Sequence, residues 1–255
     1  MANVSLSYDD NGHSGSPAYV FVHGWTCDRS FFKPQYDHFG ASARAIALDL
    51  RGHGKSPLPD DGEYSIAAFA GDVAALVDEL GIGPAIVVGH SLGGVITCAL
   101  AAARPDLVAL AVMVDPAPFI WPAGLRAGFE GLFAGLQGPD SDAVRAGLVD
   151  GMFMATDDAQ RKAQIAATMA AVPGAVAVPA IGSLFDFDGP SALAAVQCPI
   201  ASIGSDGPVN DAAAMKAANP TVMIGQTLGA GHFNQLEVPD QVNAMIERFA
   251  RISLP

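Results

Sequence analysis

The residues most able to do chemistry lie in Val87-Val88-Gly89-His90-Ser91-Leu92-Gly93-Gly94, where a serine has a glycine two positions to either side. An apolar run precedes it and a helical pattern follows. This is the Gly-x-Ser-x-Gly arrangement of a hydroxyl held out on a sharp strand-to-helix turn. The serine must adopt a strained backbone conformation there. Side chains two residues away would collide, and Gly89 and Gly93 remove them. The helix that follows also aims its first N–H groups and its positive dipole end at any negative charge developing nearby. Ser91 is therefore a candidate nucleophile for a carbonyl carbon. The competing reading is a serine that caps the helix after a tight turn.

A nucleophilic serine needs a base, and His232 is the candidate. It lies in Gly229-Ala230-Gly231-His232-Phe233, 141 residues after Ser91, and Glu237-x-Pro239 and a closing helical pattern follow it. The other histidines read as architecture: His53 within Arg51-Gly52-His53-Gly54, and His90 packed in the elbow. His23, Cys27 and Asp28 do not make a convincing ligand set, so no metal and no cofactor is called for. Cys98 falls inside an apolar helical pattern and reads as core.

The elements that must position these groups alternate. Ala18–Val22, Ala45–Asp49, Ala85–Val88 and Leu110–Val114 are short apolar runs. Ala67–Leu80 and Gly94–Arg104 carry helical patterns, ended by Gly81 and Pro105. Strands alternating with helices predict βαβ units around a buried parallel sheet. From Pro116 to about Leu193 the rhythm changes to helices with large apolar residues, among them Phe119, Trp121, Phe129, Phe133, Met152, Phe153 and Met154. Strands resume at Pro199–Ile203 and Thr221–Leu228, and Asp240–Ile252 closes the chain as a helix. The expected organisation is a core of residues 1–116 and 194–255 with a helical insertion at 117–193.

The chain has 255 residues, 51% of them hydrophobic and 15% charged, which is a globular composition with ample core. Acidic residues outnumber basic ones 26 to 13, for a formal net charge of −13. Phosphate backbones and anionic lipid repel such a chain, which argues against nucleic-acid and membrane-surface partners. Three cysteines without a C-x-x-C spacing give no disulfide framework or zinc knuckle. Gly81–Ala103 and Ala163–Phe185 contain no Asp, Glu, Lys or Arg. The first is broken by Gly-His-Ser-Leu-Gly-Gly and the second by Pro173, Gly174 and Pro179, so both read as buried soluble structure. Met1–Asp10 lacks the basic start and apolar run of a signal peptide, and the expectation is a cytoplasmic protein of unassigned oligomeric state.

Four motifs in order carry a resemblance that runs from about Val20 to Phe249. The elbow at Ser91, His23-Gly24-Trp25 after the early strand, Asp49-Leu-Arg-Gly-His-Gly-Lys-Ser56 and Gly229–Phe233 together resemble the α/β-hydrolase superfamily. The resemblance implies the α/β-hydrolase fold, a mostly parallel sheet flanked by helices, with the helical insertion as a cap over the site. It makes Ser91 the nucleophile and His232 the base, and places the oxyanion hole at the backbone N–H groups of Trp25 and Leu92. For the acid, the commoner family placement after the Pro199 strand would use position 208, which is Pro208 here; Asp206 comes two residues early. The less common placement lies 24 residues beyond the nucleophile, where Asp115 stands. Asp115 is favoured, with Asp206 as the alternative and an Asx-turn role beside Gly207-Pro208 as its other reading. The expected pocket residues are Trp25, Phe119, Trp121 and Phe233, against the plainer reading that each packs the core.

The expected activity is cleavage of a small, mainly apolar carboxylic ester or lactone through an acyl-enzyme. Two alternatives use the same fold. One is a cofactor-independent ring-cleaving dioxygenase, which the His23-Gly-Trp25-x-x-Asp28 stretch is similar to, although Leu92 and Cys27 stand where those enzymes carry histidine. Perhydrolase or haloperoxidase activity belongs with it. The other is a non-enzymatic ligand receptor.

Overall fold

Strands buried on both faces read as continuous apolar runs, because helices cover the sheet from either side. The computed structural model describes residues 3–121 and 124–254, so the start of the Met1–Asp10 stretch lies outside the described residues. Its strands are β1 (Tyr8–Asp10), β2 (Tyr19–Val22), β3 (Ala45–Leu48), β4 (Ala85–His90), β5 (Val108–Val114), β6 (Ile200–Gly204) and β7 (Met223–Gln226). They form one sheet in the order β1-β3-β2-β4-β5-β6-β7. Every pairing is parallel except β1 with β3. β1 is absent from the sequence expectation: three residues reading Tyr-Asp-Asp carry no apolar run.

Successive side chains along each strand enter opposite layers. Val20, Val22, Ile46, Leu48, Val87, Ala111 and Met113 pack into one apolar cluster. Phe21, Ala47, Ile86, Val88, Leu110, Val112 and Val114 pack into the other. The helices are α1 (Lys33–Gly40), α2 (Ile66–Leu80), α3 (Leu92–Ala103), α4 (Leu125–Leu136), α5 (Ser141–Asp150), α6 (Ala159–Ala171), α7 (Gly174–Gly182), α8 (Gly189–Ala195), α9 (Ala212–Ala218), α10 (Asn234–Glu237) and α11 (Pro239–Ser253). α2, α3 and α8 cover the first face; α1 and α11 cover the second through Phe39, Val242, Ile246 and Phe249. α3 starts at Leu92, two residues ahead of the expected Gly94, so Ser91 immediately precedes it.

The turn after β3 is fixed by buried charge. Arg51 forks onto Asp72 of α2 with Nε–Oδ2 at 2.6 Å and Nη2–Oδ1 at 2.7 Å, both side chains fully buried. Asp72 Oδ1 also accepts the Val4 N–H. Asp49 accepts the backbone N–H groups of Arg29 and Lys55. That accounts for the Asp49–Ser56 motif as architecture.

Of the two uncharged stretches, the first divides into β4 and α3. The second falls within α6 and α7, which meet at 96°. No single helix among the described residues is long and apolar enough to cross a membrane.

Candidate active site

In parallel sheets the loops at the carboxyl ends of the strands gather functional groups. Here Ser91 follows β4, Asp115 follows β5, Ser205 follows β6, and the His232 loop follows β7. β4 and β5 are neighbours in register, His90 opposite Val114, which sets Ser91 beside Asp115. The Ser91 N–H donates to the Val114 carbonyl and the Asp115 N–H to that of Ile203.

Ser91 has φ 53° and ψ −118°, the strained conformation the elbow requires. A β-carbon on Gly89 would lie 2.0 Å from the Gly93 carbonyl oxygen, and one on Gly93 would lie 2.1 Å from that of Val22. The two glycines thus let the elbow press against itself and against the end of β2. Ser91 is 8% exposed and opens onto a cavity of about 610 Å³.

His232 Nδ1–H donates to Asp115 Oδ2 at 2.6 Å, and the Ser205 N–H donates to Asp115 Oδ1 at 2.8 Å. Burial works to raise the Asp115 carboxyl. The hydrogen bond and charge of His232, together with the Ser205 N–H, outweigh it and hold the group below its usual range. An ionised Asp115 fixes the tautomer with Nε2 unprotonated, the form that can take a proton from a hydroxyl. Asp206 is exposed at the cavity rim. Its N–H donates to the Ala230 carbonyl, and its carboxylate makes no hydrogen bond among the described residues.

His90 does more than pack. Its Nε2–H donates to the His232 carbonyl at 2.8 Å, and its ring lies 4.7 Å from the His232 ring. Burial first, and His232 second, push it down to about 3, so it stays neutral. Nothing in the sequence signalled this contact. His23 Nδ1–H donates to the Gly24 carbonyl while Nε2 accepts the Leu50 N–H. Asp28 caps the turn at Ser30. Both are thereby occupied in structure.

Trp25 and Leu92 line the cavity beside Ser91, with Ala117 and Pro118. The Trp25 Nε1–H donates to the Ala177 carbonyl of α7 at 2.7 Å, tying the loop after β2 to the insertion. Phe129, Leu148, Met152, Phe153, Met154, Ile181 and Leu184 bring apolar walls from the insertion, and no Lys or Arg is among the described lining residues. Three expected pocket residues lie elsewhere. Phe119 is 0% exposed and packed against Gly189. Phe233, also 0% exposed, fills the space between Phe31, Phe153 and His90. Trp121 stacks on Phe185 at 5.2 Å and meets Phe129 edge-on. Phe119 and Phe233 bury their rings in the core and Trp121 packs among aromatic neighbours, while Trp25, Phe129, Phe153 and the methionines line the opening.

A model of the alpha/beta hydrolase family matches residues 19–245. The chain belongs to this family. It is 32% identical over 170 residues, 67% of its length, to lipase LipV of Mycobacterium tuberculosis. It is 36% identical over 127 residues, 50% of its length, to 2-(acetamidomethylene)succinate hydrolase of Mesorhizobium japonicum. These matches span 64% and 45% of the relatives' own lengths. Solved structures share the fold over nearly the whole chain. An esterase from Thermogutta terrifontis superposes with a TM-score of 0.83 at 22% identity, covering 98% of this chain and 94% of that one. The enol-lactonase from Burkholderia xenovorans gives 0.82 at 21%, covering 96% of each.

Proposed function

We propose that this chain is a serine hydrolase that cleaves small, uncharged carboxylic esters or lactones through an acyl-enzyme on Ser91. The observation that carries the reading is the Asp115–His232 hydrogen bond at the cavity onto which the strained Ser91 opens. His232 Nε2 takes the Ser91 proton as Oγ attacks the carbonyl carbon, and Asp115 stabilises the imidazolium. The negative charge on the former carbonyl oxygen is met by the N–H groups of Trp25 and Leu92, donors that need no reorganisation. His232 returns the proton to the leaving alcohol, which departs. Water, deprotonated by His232, then attacks the acyl-serine and releases the acid. Apolar walls and the absence of a lining cation favour an uncharged acyl group, in line with the lipase and esterases the chain is similar to.

The test is steady-state hydrolysis of a nitrophenyl ester series of rising acyl length, with Ser91→Ala run beside wild type. Turnover that falls to background in the variant, with Tm nearly unchanged, is expected. Equal turnover in both removes the nucleophile. No turnover of any ester by a cooperatively melting protein turns the reading towards oxygen chemistry or a receptor.

A further inference from the structure

Besides the Asp206 N–H on the Ala230 carbonyl, the His232 loop is tied down through its main chain at three points. The His232 N–H donates to the Met152 carbonyl in the segment between α5 and α6, at 3.2 Å. The His90 ring holds the His232 carbonyl, and Glu237 Oε2 accepts the Gly231 N–H at 2.8 Å. The other oxygen of Glu237, Oε1, is buried without a hydrogen-bond partner. Beside it stands the carboxyl of Asp157, from the same segment as Met152, whose Oδ2 is occupied by the Met154 N–H at 2.8 Å. Two adjacent carboxylates repel when both are ionised. A single proton between them removes the repulsion and gives the orphaned oxygen its partner.

We infer that Glu237 and Asp157 share one proton and act together as positioning residues, clamping the 152–157 segment of the insertion onto the loop that carries His232. The inference rests on His232 being the general base. Burial first, and the neighbouring Asp157 carboxyl second, raise the Glu237 carboxyl to about 7. The Gly231 N–H and Arg161 of α6 pull the other way. Neighbouring charges in the insertion are turned elsewhere: Asp158 caps α6 at the Arg161 N–H, and Lys162 lies over the Phe153 ring. Because the folded-state value exceeds the ordinary 4.5, the stabilisation is complete below 4.5 and is lost as pH rises through about 7. Above that the shared proton is gone and the clamp loosens. Activity therefore falls as the shared proton leaves.

An amide at either position supplies the missing N–H permanently. Glu237→Gln can accept from Gly231 and donate to Asp157; Asp157→Asn can accept from Met154 and donate to Glu237. The experiment measures kcat against pH, from about 5 to 9, for wild type and both variants on one neutral ester. Wild type should lose roughly tenfold on the alkaline side, less than the ~10²-fold that a 1 Å misplacement costs. Both amides should hold a plateau. The same falling arm in all three proteins, or none in wild type, overturns the clamp. A ¹³C-carboxyl titration of Glu237, assigned through Glu237→Gln, reads the shared proton without substrate. A midpoint near 7 that drops in Asp157→Asn supports it; an ordinary midpoint refutes it, whether or not any ester is turned over.

Discussion

Replacing Asp115 by asparagine separates the two candidate acids, because of what its carboxylate is asked to do. Its two oxygens each accept from a donor, His232 Nδ1–H at 2.6 Å and the Ser205 N–H at 2.8 Å. An asparagine offers one acceptor and one donor group, so it can satisfy only one of them as they stand. Turned with its NH₂ towards Ser205, it would set two donors face to face against a main-chain N–H that cannot move. Turned the other way, the NH₂ meets Nδ1, and the imidazole adapts by carrying its proton on Nε2. Changing tautomer is the cheaper adjustment, so this arrangement wins, and Nε2 then has no lone pair to take the Ser91 proton.

The equivalent exchange in a related serine triad costs about 10⁴ in kcat, or ~5.5 kcal/mol of transition-state stabilisation. Stability should change far less, by about 1–2 kcal/mol, since both contacts survive in neutral form. Asp206→Asn alters an exposed carboxylate with no hydrogen bond among the described residues, and its kcat should stay within about threefold. The assay is kcat on one neutral nitrophenyl ester for both variants, with Tm recorded alongside. A loss of many powers of ten at Asp206 together with an Asp115 variant near wild type would refute the reasoning.

Three further outcomes follow from the fold. Asp72→Asn removes the carboxylate onto which the fully buried Arg51 forks, which should cost about 3–5 kcal/mol and lower Tm by roughly 10 °C; a shift within scanning error would mean the pair is not holding the turn. Gly93→Ala puts a methyl 2.1 Å from the Val22 carbonyl oxygen and should destabilise by more than ~4 kcal/mol or prevent folding. Gly128→Ala in α4, with nothing within 4 Å of the new carbon, should be neutral or mildly stabilising by chemical denaturation.

Much of this geometry was legible because it is local. The elbow, the apolar strands and the alternation with helices are written in contiguous residues, and β2 to β6 lie within a few positions of the runs that announce them. The Asp115–His232 pair crosses 117 residues, yet strand adjacency at the sheet centre leaves little freedom about where Asp115 can sit. What stayed hidden depends on packing between distant segments. Nothing in the residue types distinguishes Phe153, on the cavity, from Phe233, sealed behind His232. β1 is too short and too polar to carry a periodic signal, and Tyr8 to Asp10 pair only because the edge of β3 is open to them. The Glu237–Asp157 contact joins two acidic residues 80 positions apart, a pairing that composition would count as repulsive.

The anchor between Trp25 and α7 bears on how such a site can diversify. The indole grips a main-chain oxygen at Ala177, so the grip is indifferent to which side chain position 177 carries. α7 also contributes Ile181 to the cavity wall. Substitutions on that wall can reshape the cavity while the bond that seats the helix over Trp25 persists. The loop beside Ser91 and the far wall of the cavity are joined through atoms that mutation does not change, which lets one drift while the other stays put.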